Sequence, residues 1–553
     1  MNTFAAQMNF SSIHRNDFVE QLASRQFDLL VIGGGITGCG IALDAALRGM
    51  KVALIEKNDF ASGTSSRSTK LIHGGLRYLK QLEIKLVHDV GSERAVVHRN
   101  ARHVVIPEKM LLPIVENGSL GKNSSSLGLL VYDLLAGVKK DERRKMLNKH
   151  DTLKAEPLLA KDKLVGGGLY FEYRTDDSRL TIEIAKSAFA NGTTLLNYAE
   201  SKGFVYNSDK KITGAKVIDN ISGQEFEIKA SVVVNACGPW VDLLRKEDNS
   251  LKGKRLLLTK GVHLVFPYEK LPLQQAAYFD VGDGRMIFAI PRNSITYVGT
   301  TDTVYNQSID KPQCSKEDVE YLLKAVNNIF PTLQLKQQDI VSSWAGLRPL
   351  IFEDGKSASE VSRKDEVMIS DSGLISIAGG KLTGYRLMAE KIVDLTAKHL
   401  GKNFGGCQTK TFRLSGGEFV NEEEFDTAYK HFLQQGTIEN IGSEKIRDWF
   451  FRYGKNTAAL ITNVIYLRSK FSNEQELFDA AELQYGVEHE LVFKLSDFLI
   501  RRTGKIFFDR VNTLSKLDYL SSLLSERLQT SESSANIALQ AVKEEFSMAV
   551  TFD

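Results

Sequence analysis

The sequence predicts an α/β protein: strands and helices alternate over residues 27–400, and residues 401–553 form an α-helical C-terminal domain. Three observations carry this. The run Phe27 to Lys57, FDLLVIGGGITGCGIALDAALRGMKVALIEK, reads as strand, glycine turn, helix, strand and terminal acid. Residues 195–226 and 255–302 break into short strand-like runs separated by turn residues. Past Gly401 to Gly417, a Gly- and polar-rich linker, strand signals fade and the apolar spacing becomes helical.

Phe27 to Ile32 is apolar and rich in branched residues, as a buried parallel strand is. Gly33, Gly35 and Gly38 follow in the G-x-G-x-x-G spacing, with Gly34 and Thr37 inside it. Gly33 allows the tight turn, Gly35 lets a pyrophosphate approach the backbone, and Gly38 lets the helix lie close to the sheet. The helix Ile36 to Arg48 turns its N-terminal N–H groups and positive dipole toward the phosphates. Val52 to Ile55 is the second strand, and Glu56 at its tip can accept ribose hydroxyls. The unit is Rossmann-like and dinucleotide-binding.

Residues 1–26 read as a polar leader with a short helix over Asp17 to Ala23. Gly63 to Leu79, GTSSRSTKLIHGGLRYL, is dense in hydroxyls, glycines and cations; just past a nucleotide-binding strand, it offers donors to phosphates. Val90 to Asn100 is helical. Gly128 to Val138 is an apolar patch followed by KKDERRK. It reads as a buried helix with a charged end, or as an interfacial helix whose basic flank touches anionic lipid. Arg179 to Asn191 is a helix, and residues 195–226 are strands with turns at 207–209 and 222–223. Ser231 to Val234 is a buried strand running into NACGPW, whose small residues let a cofactor come close. Ser315 caps a helix to Phe330, and Val341 to Pro349 and Leu374 to Ala378 are strands. Gly379-Gly380-Lys381-Leu382-Thr383 opens a helix over 382–399, a second glycine-to-helix start. The tail reads as helices over 444–452, 457–468, 474–486, 488–500, 510–528 and 533–549.

Composition narrows the function. With 71 basic and 68 acidic residues, the net charge of +3 argues against bulk nucleic-acid binding. The four cysteines, Cys39, Cys237, Cys314 and Cys407, lie far apart, which argues against a cysteine-rich metal site or a disulfide framework and for a reducing compartment. No stretch approaches the roughly 20 apolar residues that cross a bilayer. The N-terminus lacks the apolar run of a secretory signal.

The chain resembles the FAD-dependent glycerol-3-phosphate dehydrogenases, the aerobic respiratory type within the glycine-oxidase-like flavoproteins. The likeness rests on VIGGGITGCGIALDAALRG (31–49), TSSRSTKLIHGGLRYL (64–79), NACGPWV (235–241), KGVHLVFP (260–267), GTTDT (299–303), AGLRPL (345–350) and GGKLTGYR (379–386). In the tail RYG (452–454) and RRT (501–503) also look like the family. Arg67, Thr69 and Cys237 depart from its usual pattern. The resemblance implies a Rossmann-like FAD-binding domain with a mixed β-sheet substrate domain of the glycine/D-amino-acid-oxidase kind. It implies these parts: leader 1–26; FAD-binding domain 27–100, 151–254 and 366–400; substrate-domain or surface insertion 101–150; substrate-binding domain 255–365; helical domain 401–553. FAD contacts are then expected at Gly33, Gly34, Gly35, Thr37, Gly38, Glu56, Thr64, Ser65, Ser66, Lys70, Leu71, His73, Ala236, Gly238, Gly380, Lys381, Leu382 and Thr383, and an adenine contact near Ser201.

The implied reaction oxidises the C2 hydroxyl of sn-glycerol 3-phosphate to dihydroxyacetone phosphate with FAD as hydride acceptor. A phosphate near a dianion calls for cations in forked geometry, and a developing ketone oxygen for a fixed cation. Arg77, Arg363 and Lys381 are the expected substrate-binding cations, with Tyr78 lining the pocket. His263 is the candidate base or hydrogen-bonder at the C2 hydroxyl, and Arg348 could equally stabilise the alkoxide. The family's oxidase branch, which turns oxygen into peroxide, usually carries a mid-chain insertion. None is visible, so a quinone is the expected acceptor. The alternatives are that oxidase, an amine or amino-acid oxidase, a nicotinamide dehydrogenase, or a non-catalytic flavin-binding regulator. The family and the 128–145 patch together imply a cytoplasmic protein held peripherally at the inner face of the cell membrane, on anionic lipid, with a homodimer as the expected assembly.

Overall fold

A computed structural model describes residues 9–73, 84–116, 118, 143–353, 365–379 and 381–552. The Rossmann-like unit has the predicted plan. Strand Gln26–Ile32, helix Ile36–Leu47 and strand Val52–Ile55 follow one another, with the two strands parallel and paired from Leu29↔Val52 to Ile32↔Ile55. Strand Glu225–Asn235 pairs in parallel on the other side of Gln26–Ile32, Ile375–Ala378 lies beyond it, and Thr194–Leu196 pairs with Val52–Ile55. Five parallel strands therefore end at one edge. Helices Ile36–Leu47, Asp177–Ala190 and Tyr385–Leu400 pack side by side, and Leu29, Leu30, Val31, Ala53, Leu54 and Ile55 have no access to solvent. Gly33 takes φ +115, and a Cβ on it would meet the Ala236 carbonyl oxygen at 2.6 Å. A Cβ on Gly38 would overlap the Gly33 carbonyl, so the helix can begin this close to the strand only on a glycine.

The second sheet is mixed. Its long strand Lys254–Pro267 pairs with Ser342–Glu353 from Lys254↔Glu353 to Val265↔Ser342, and with Ile295–Gly299 on the other side. Met286–Arg292, Ala276–Asp280, Ile106–Val115 and Leu164–Arg174 continue it, Ala276–Asp280 running parallel to Ile106–Val115. One face is covered by helix Lys316–Ile329, started by a capping box between Ser315 and Asp318. The other face takes apolar side chains from helices Glu474–His489, Leu517–Leu528 and Glu532–Met548 of the C-terminal domain.

The tail is helical, with three differences from expectation. Helix Glu422–Ile438 was not foreseen; Asn421 caps it and Glu422, Glu423 and Glu424 fill its first turn. The helix expected over 488–500 does not form. Leu491 takes a positive φ, and Asp497–Arg502 is a single π-helical turn. The helix expected over 510–528 breaks between Leu514 and Leu517. Elsewhere, the helix expected from residue 382 starts at Tyr385.

Residues 9–26 are not a free leader. The Ser11 and Ser12 hydroxyls donate to the carbonyls of Val487 and Val492, Arg15 pairs with buried Asp219, and helix Arg15–Ser24 buries Phe18, Val19 and Leu22. The C-terminal domain is locked on at a second place. Asp59, wholly buried, accepts from Arg501 Nε at 2.6 Å, Arg502 Nη1 and Nη2 at 2.7 and 2.9 Å, and Asn197 Nδ2 at 2.9 Å. The RRT stretch thus anchors the loop behind Glu56. The patch Gly128 to Val138 lies outside the described residues. Among the described residues no helix is long and apolar enough to cross a membrane.

Candidate active site

Two cavities adjoin. The first, of about 220 Å³, opens where the parallel strands end: Gly33, Glu56, Ala236 and Gly379 each follow one of them, and all four line it. This is where ligands bind in an open α/β sheet. Gly35, Ile36 and Thr37 bring the helix N-terminus to the same wall. Ser65 Oγ accepts the Ile36 N–H at 2.9 Å. The Glu56 carboxylate accepts from Gly34 N–H at 2.7 Å and Asn58 N–H at 2.9 Å. Burial raises its pKa and those two N–H bonds oppose the shift. A carboxylate has about four acceptor positions, so hydroxyls of a ribose still find partners. An unphosphorylated ribose, a pyrophosphate on the helix end and small residues at Ala236 and Gly238 together fit a dinucleotide such as FAD. Ser201, weakly marked in the sequence, also lines this cleft; Cys237 does too, as a thiol that burial keeps protonated.

The second cavity, about 250 Å³, lies on the second sheet. Thr64, Ser68, Pro349, Lys381 and Leu382 line both cavities, so this is the seam where the two meet. Among the described residues, four cations line the second cavity: Arg67, Arg285, Arg348 and Lys381. Its carboxylates, Glu172 and Asp302, each face an arginine, Arg94 at 3.1 Å and Arg348 at 3.3 Å. The wall is therefore net positive.

Arg348 donates to the Thr301 carbonyl at 3.1 Å, to Asp302 Oδ1 at 3.3 Å and to Thr300 Oγ1 at 3.0 Å, so its fork is held in a fixed plane. His263 is buried. Its ring stacks on Trp344 with centroids 4.8 Å apart, and Nε2 lies 3.0 Å from Thr69 Oγ1. Burial, then Arg348 and Lys70, hold its pKa well below the ordinary imidazole value, so the ring is neutral. The Ser68–Thr69 backbone is tied down from the same sheet: Trp344 Nε1 donates to the Ser68 carbonyl and the Tyr297 hydroxyl to that of Thr69.

Of the cofactor residues expected from the sequence, Gly33, Gly35, Thr37, Glu56, Thr64 and Ser65 line the first cavity, as do Ala236, Gly238, Lys381 and Leu382. Leu71, His73 and Thr383 line the second instead. Gly34 and Gly38 lie beneath the turn, shaping it. Two expectations are corrected. Lys70 faces away from both cavities: its ammonium is 2.6 Å from buried Asp177 and sits among Trp344, Phe507 and Phe508. Ser66 is buried, with its hydroxyl on the Gly63 carbonyl. Both side chains hold the loop in place. Arg77, Tyr78, Arg363 and Gly380 lie outside the described residues. Sequence reasoning missed Arg285, which follows a Gly-Asp-Gly turn and read as a surface hairpin. It also treated Arg67 and Thr69 only as departures from a pattern.

The sequence profile for FAD dependent oxidoreductases matches residues 28–386, and that for the C-terminal domain of alpha-glycerophosphate oxidase matches residues 407–535. The chain is 48% identical over 552 residues to the aerobic glycerol-3-phosphate dehydrogenase of Staphylococcus epidermidis, covering 98% of each. It is 49% identical over 532 residues to that of Bacillus subtilis, covering 95% of this chain and 96% of the relative. The X-ray structure of the glycerol-3-phosphate dehydrogenase from Bacillus halodurans complexed with FAD superposes with a TM-score of 0.85 at 42% identity, over 98% of this chain and 99% of that one. Glycine oxidase from Geobacillus kaustophilus shares the fold alone, at 20% identity and a TM-score of 0.51, over 72% of this chain and 100% of that one. With relatives aligned nearly end to end and the cleft where the fold places its nucleotide, the chain belongs to the FAD dependent oxidoreductase family, among its aerobic glycerol-3-phosphate dehydrogenases.

Proposed function

We propose that the protein oxidises the C2 hydroxyl of sn-glycerol 3-phosphate to the ketone of dihydroxyacetone phosphate and passes the two electrons to a quinone. FAD, when bound, supplies the acceptor for the C2 hydride. The chain's own residues bind, orient and move the proton. Arg67, Arg285 and Lys381 are the described cations for the phosphate, and Arg77 and Arg363, with Tyr78, remain the sequence's further candidates for that end. Arg348, fixed by three acceptors, is assigned to the C2 oxygen, where a rigid guanidinium stabilises negative charge as the hydroxyl proton leaves.

His263 is assigned to that proton. In the free protein it is a weak base, because burial and two nearby cations disfavour imidazolium. A bound phosphate dianion opposes those cations and raises its basicity when the substrate arrives. The observation that carries the reading is the cation-lined cavity joined to a dinucleotide cleft through Lys381, Leu382 and Pro349.

A quinone is proposed as acceptor, and with it a peripheral site on anionic lipid at the inner face of the cell membrane; a homodimer is proposed as the assembly. Oxygen is the second reading, favoured by the oxidase name of the matching C-terminal profile. The test is the anaerobic visible spectrum before and after sn-glycerol 3-phosphate. Bleaching of the flavin band is expected, and a spectrum that stays yellow refutes the reading. Reduction of a quinone analogue is then compared with oxygen consumption. Light scattering checks the dimer, and flotation with phosphatidylglycerol vesicles the lipid contact.

A further inference from the structure

We infer that the protein carries a second anion site, for a small phosphate-type oxyanion, at the junction of the two sheets and the C-terminal helices. A cavity of about 130 Å³ lies there. Strand Leu164–Arg174 runs past it into helix Asp177–Ala190, the hairpin after Met286–Arg292 turns beside it, and helix Ser443–Tyr453 closes it. It shares no lining residue with either cavity of the active site. One water needs about 10–15 Å³ of such space, so several waters or one oxyanion fit.

Among the described residues, five arginines line it, Arg174, Arg179, Arg292, Arg447 and Arg452, against two carboxylates, Asp176 and Asp448. Three of the arginines have glutamate partners that do not line the cavity: Glu108 with Arg174 at 2.9 Å, Glu490 and Glu183 with Arg179 at 2.6 and 2.8 Å, and Glu482 with Arg452 at 2.6 Å. Asp176 is spent on its own helix and on Arg292. Its Oδ1 accepts the Ser178 hydroxyl and the Arg179 N–H, and its Oδ2 lies 3.3 Å from Arg292 Nη2. Arg447 is exposed and has no ion-pair partner among the described residues, so it stands free beside the cavity.

The second observation is what the wall leaves unmet. Thr175 Oγ1, Arg179 Nε and Arg292 Nη1 are all buried and have no hydrogen-bond partner among the described residues. Thr175 and Arg179 are each only 1% exposed. Buried polar groups are nearly always partnered, and three unmet ones around one cavity call for a ligand that accepts. A cation would leave the two arginine N–H groups unmet, and an apolar molecule all three. Guanidinium forks suit phosphate oxygens, and the cavity sits at the positive end of helix Asp177–Ala190. Arg292 also stacks on Phe508 at 4.0 Å, so an anion there bears on residues that pack behind Trp344 and His263.

The test is labelled inorganic phosphate, bound to the FAD-loaded protein in equilibrium dialysis at constant ionic strength with chloride as balance. Phosphate also enters the catalytic cavity, so the double variant Arg285→Ala/Lys381→Ala, which removes two of the cations assigned to phosphate there, is measured alongside. The site predicts that one phosphate stays bound in Arg285→Ala/Lys381→Ala. Adding Arg447→Glu should raise its Kd at least tenfold, and adding the isosteric Thr175→Val should raise it in the same direction. Arg447→Glu alone, an exposed change, should keep kcat/KM in phosphate-free buffer within twofold of the parent. Phosphate binding that vanishes in Arg285→Ala/Lys381→Ala, or that Arg447→Glu and Thr175→Val leave unchanged, overturns the proposal. So does binding to phosphatidylglycerol vesicles that depends on Arg447 when free phosphate does not bind, which would make the ligand a lipid headgroup.

Discussion

The guanidinium of Arg348 occupies the space a side chain on Gly261 would need: a Cβ there would lie 2.5 Å from Arg348 Nη2. The two residues face each other across paired strands, in which Gly261 stands opposite Gly346 and Thr259 opposite Arg348. Across the other edge of the same strand, a Cβ on Gly299 would overlap the imidazole of His263. Two glycines therefore make the room for both proposed catalytic side chains.

Gly261→Ala should push the guanidinium off its three acceptors while leaving the arginine in the chain. We expect kcat to fall about 10²-fold, the scale of losing one preorganised charge stabiliser, with FAD content unchanged. Steady-state turnover and the flavin absorbance per protein check this; turnover at the parent rate would show that Arg348 does not need that position.

Arg348→Ala should retain FAD and lose about 10²–10³-fold in kcat/KM. Arg348→Lys should recover little of it. One ammonium cannot reproduce a planar fork held by Thr300, Thr301 and Asp302. Loss of flavin from the alanine variant would place Arg348 on the cofactor side.

Asp59→Asn should destabilise the protein by about 3–5 kcal/mol, because it removes the buried carboxylate that Arg501 and Arg502 share and leaves Arg501 with Asp497 and Arg502 with Glu490 at 3.8 Å. The same loop carries Glu56 and Asn58, so FAD should be released at lower denaturant than in the parent. Urea unfolding followed by flavin fluorescence and by far-ultraviolet circular dichroism reads both. A variant as stable as the parent would mean that the RRT turn does not anchor this loop.

Acid should unfold the protein in two stages. His263 and His103 are held well below the ordinary imidazole value of 6.5, chiefly by burial, so the unfolded chain binds protons that the native chain refuses. Stability is then lost as pH falls below 6.5. Glu482 and Glu490 are shifted down from 4.5 to about 2; burial pushes each up, but facing cations, first Arg452 for Glu482 and Arg179 for Glu490, outweigh it. Their contribution is whole above about pH 4.5 and is lost as pH drops toward 2. The thermal midpoint against pH, with Glu482→Gln as the comparison, checks this: a midpoint flat from pH 7 to 5 removes the histidine stage, and an unchanged acid limb in the variant removes the glutamate stage.

The nucleotide half of the site was readable because its signal is local. Strand, Gly33–Gly38 turn, helix and Glu56 follow within one βαβ unit, and each residue's task is set by neighbours a few positions away. The substrate half was readable in part. Arg348 and Lys381 stand at the cavity, but the loop from Thr64 to His73 could not be sorted by composition. Thr69 turns to His263, Lys70 turns back to Asp177, and Leu71 returns to the cavity. Arg285 looked like turn decoration, and between the linker's end at Gly417 and residue 444 the apolar spacing marked no helix where Glu422–Ile438 forms.

Local spacing was enough for the α/β class, the glycine turn and the helical tail, since backbone preference and apolar period act over a few residues. Which charges would be buried, and against what, belonged to the folded chain. Asp59 and Arg502 meet across 443 residues of sequence, and Arg348 has its place only because Gly261, on another strand, has no side chain. Desolvation and steric exclusion depend on what fills the space around a group, and that is settled only when distant segments pack.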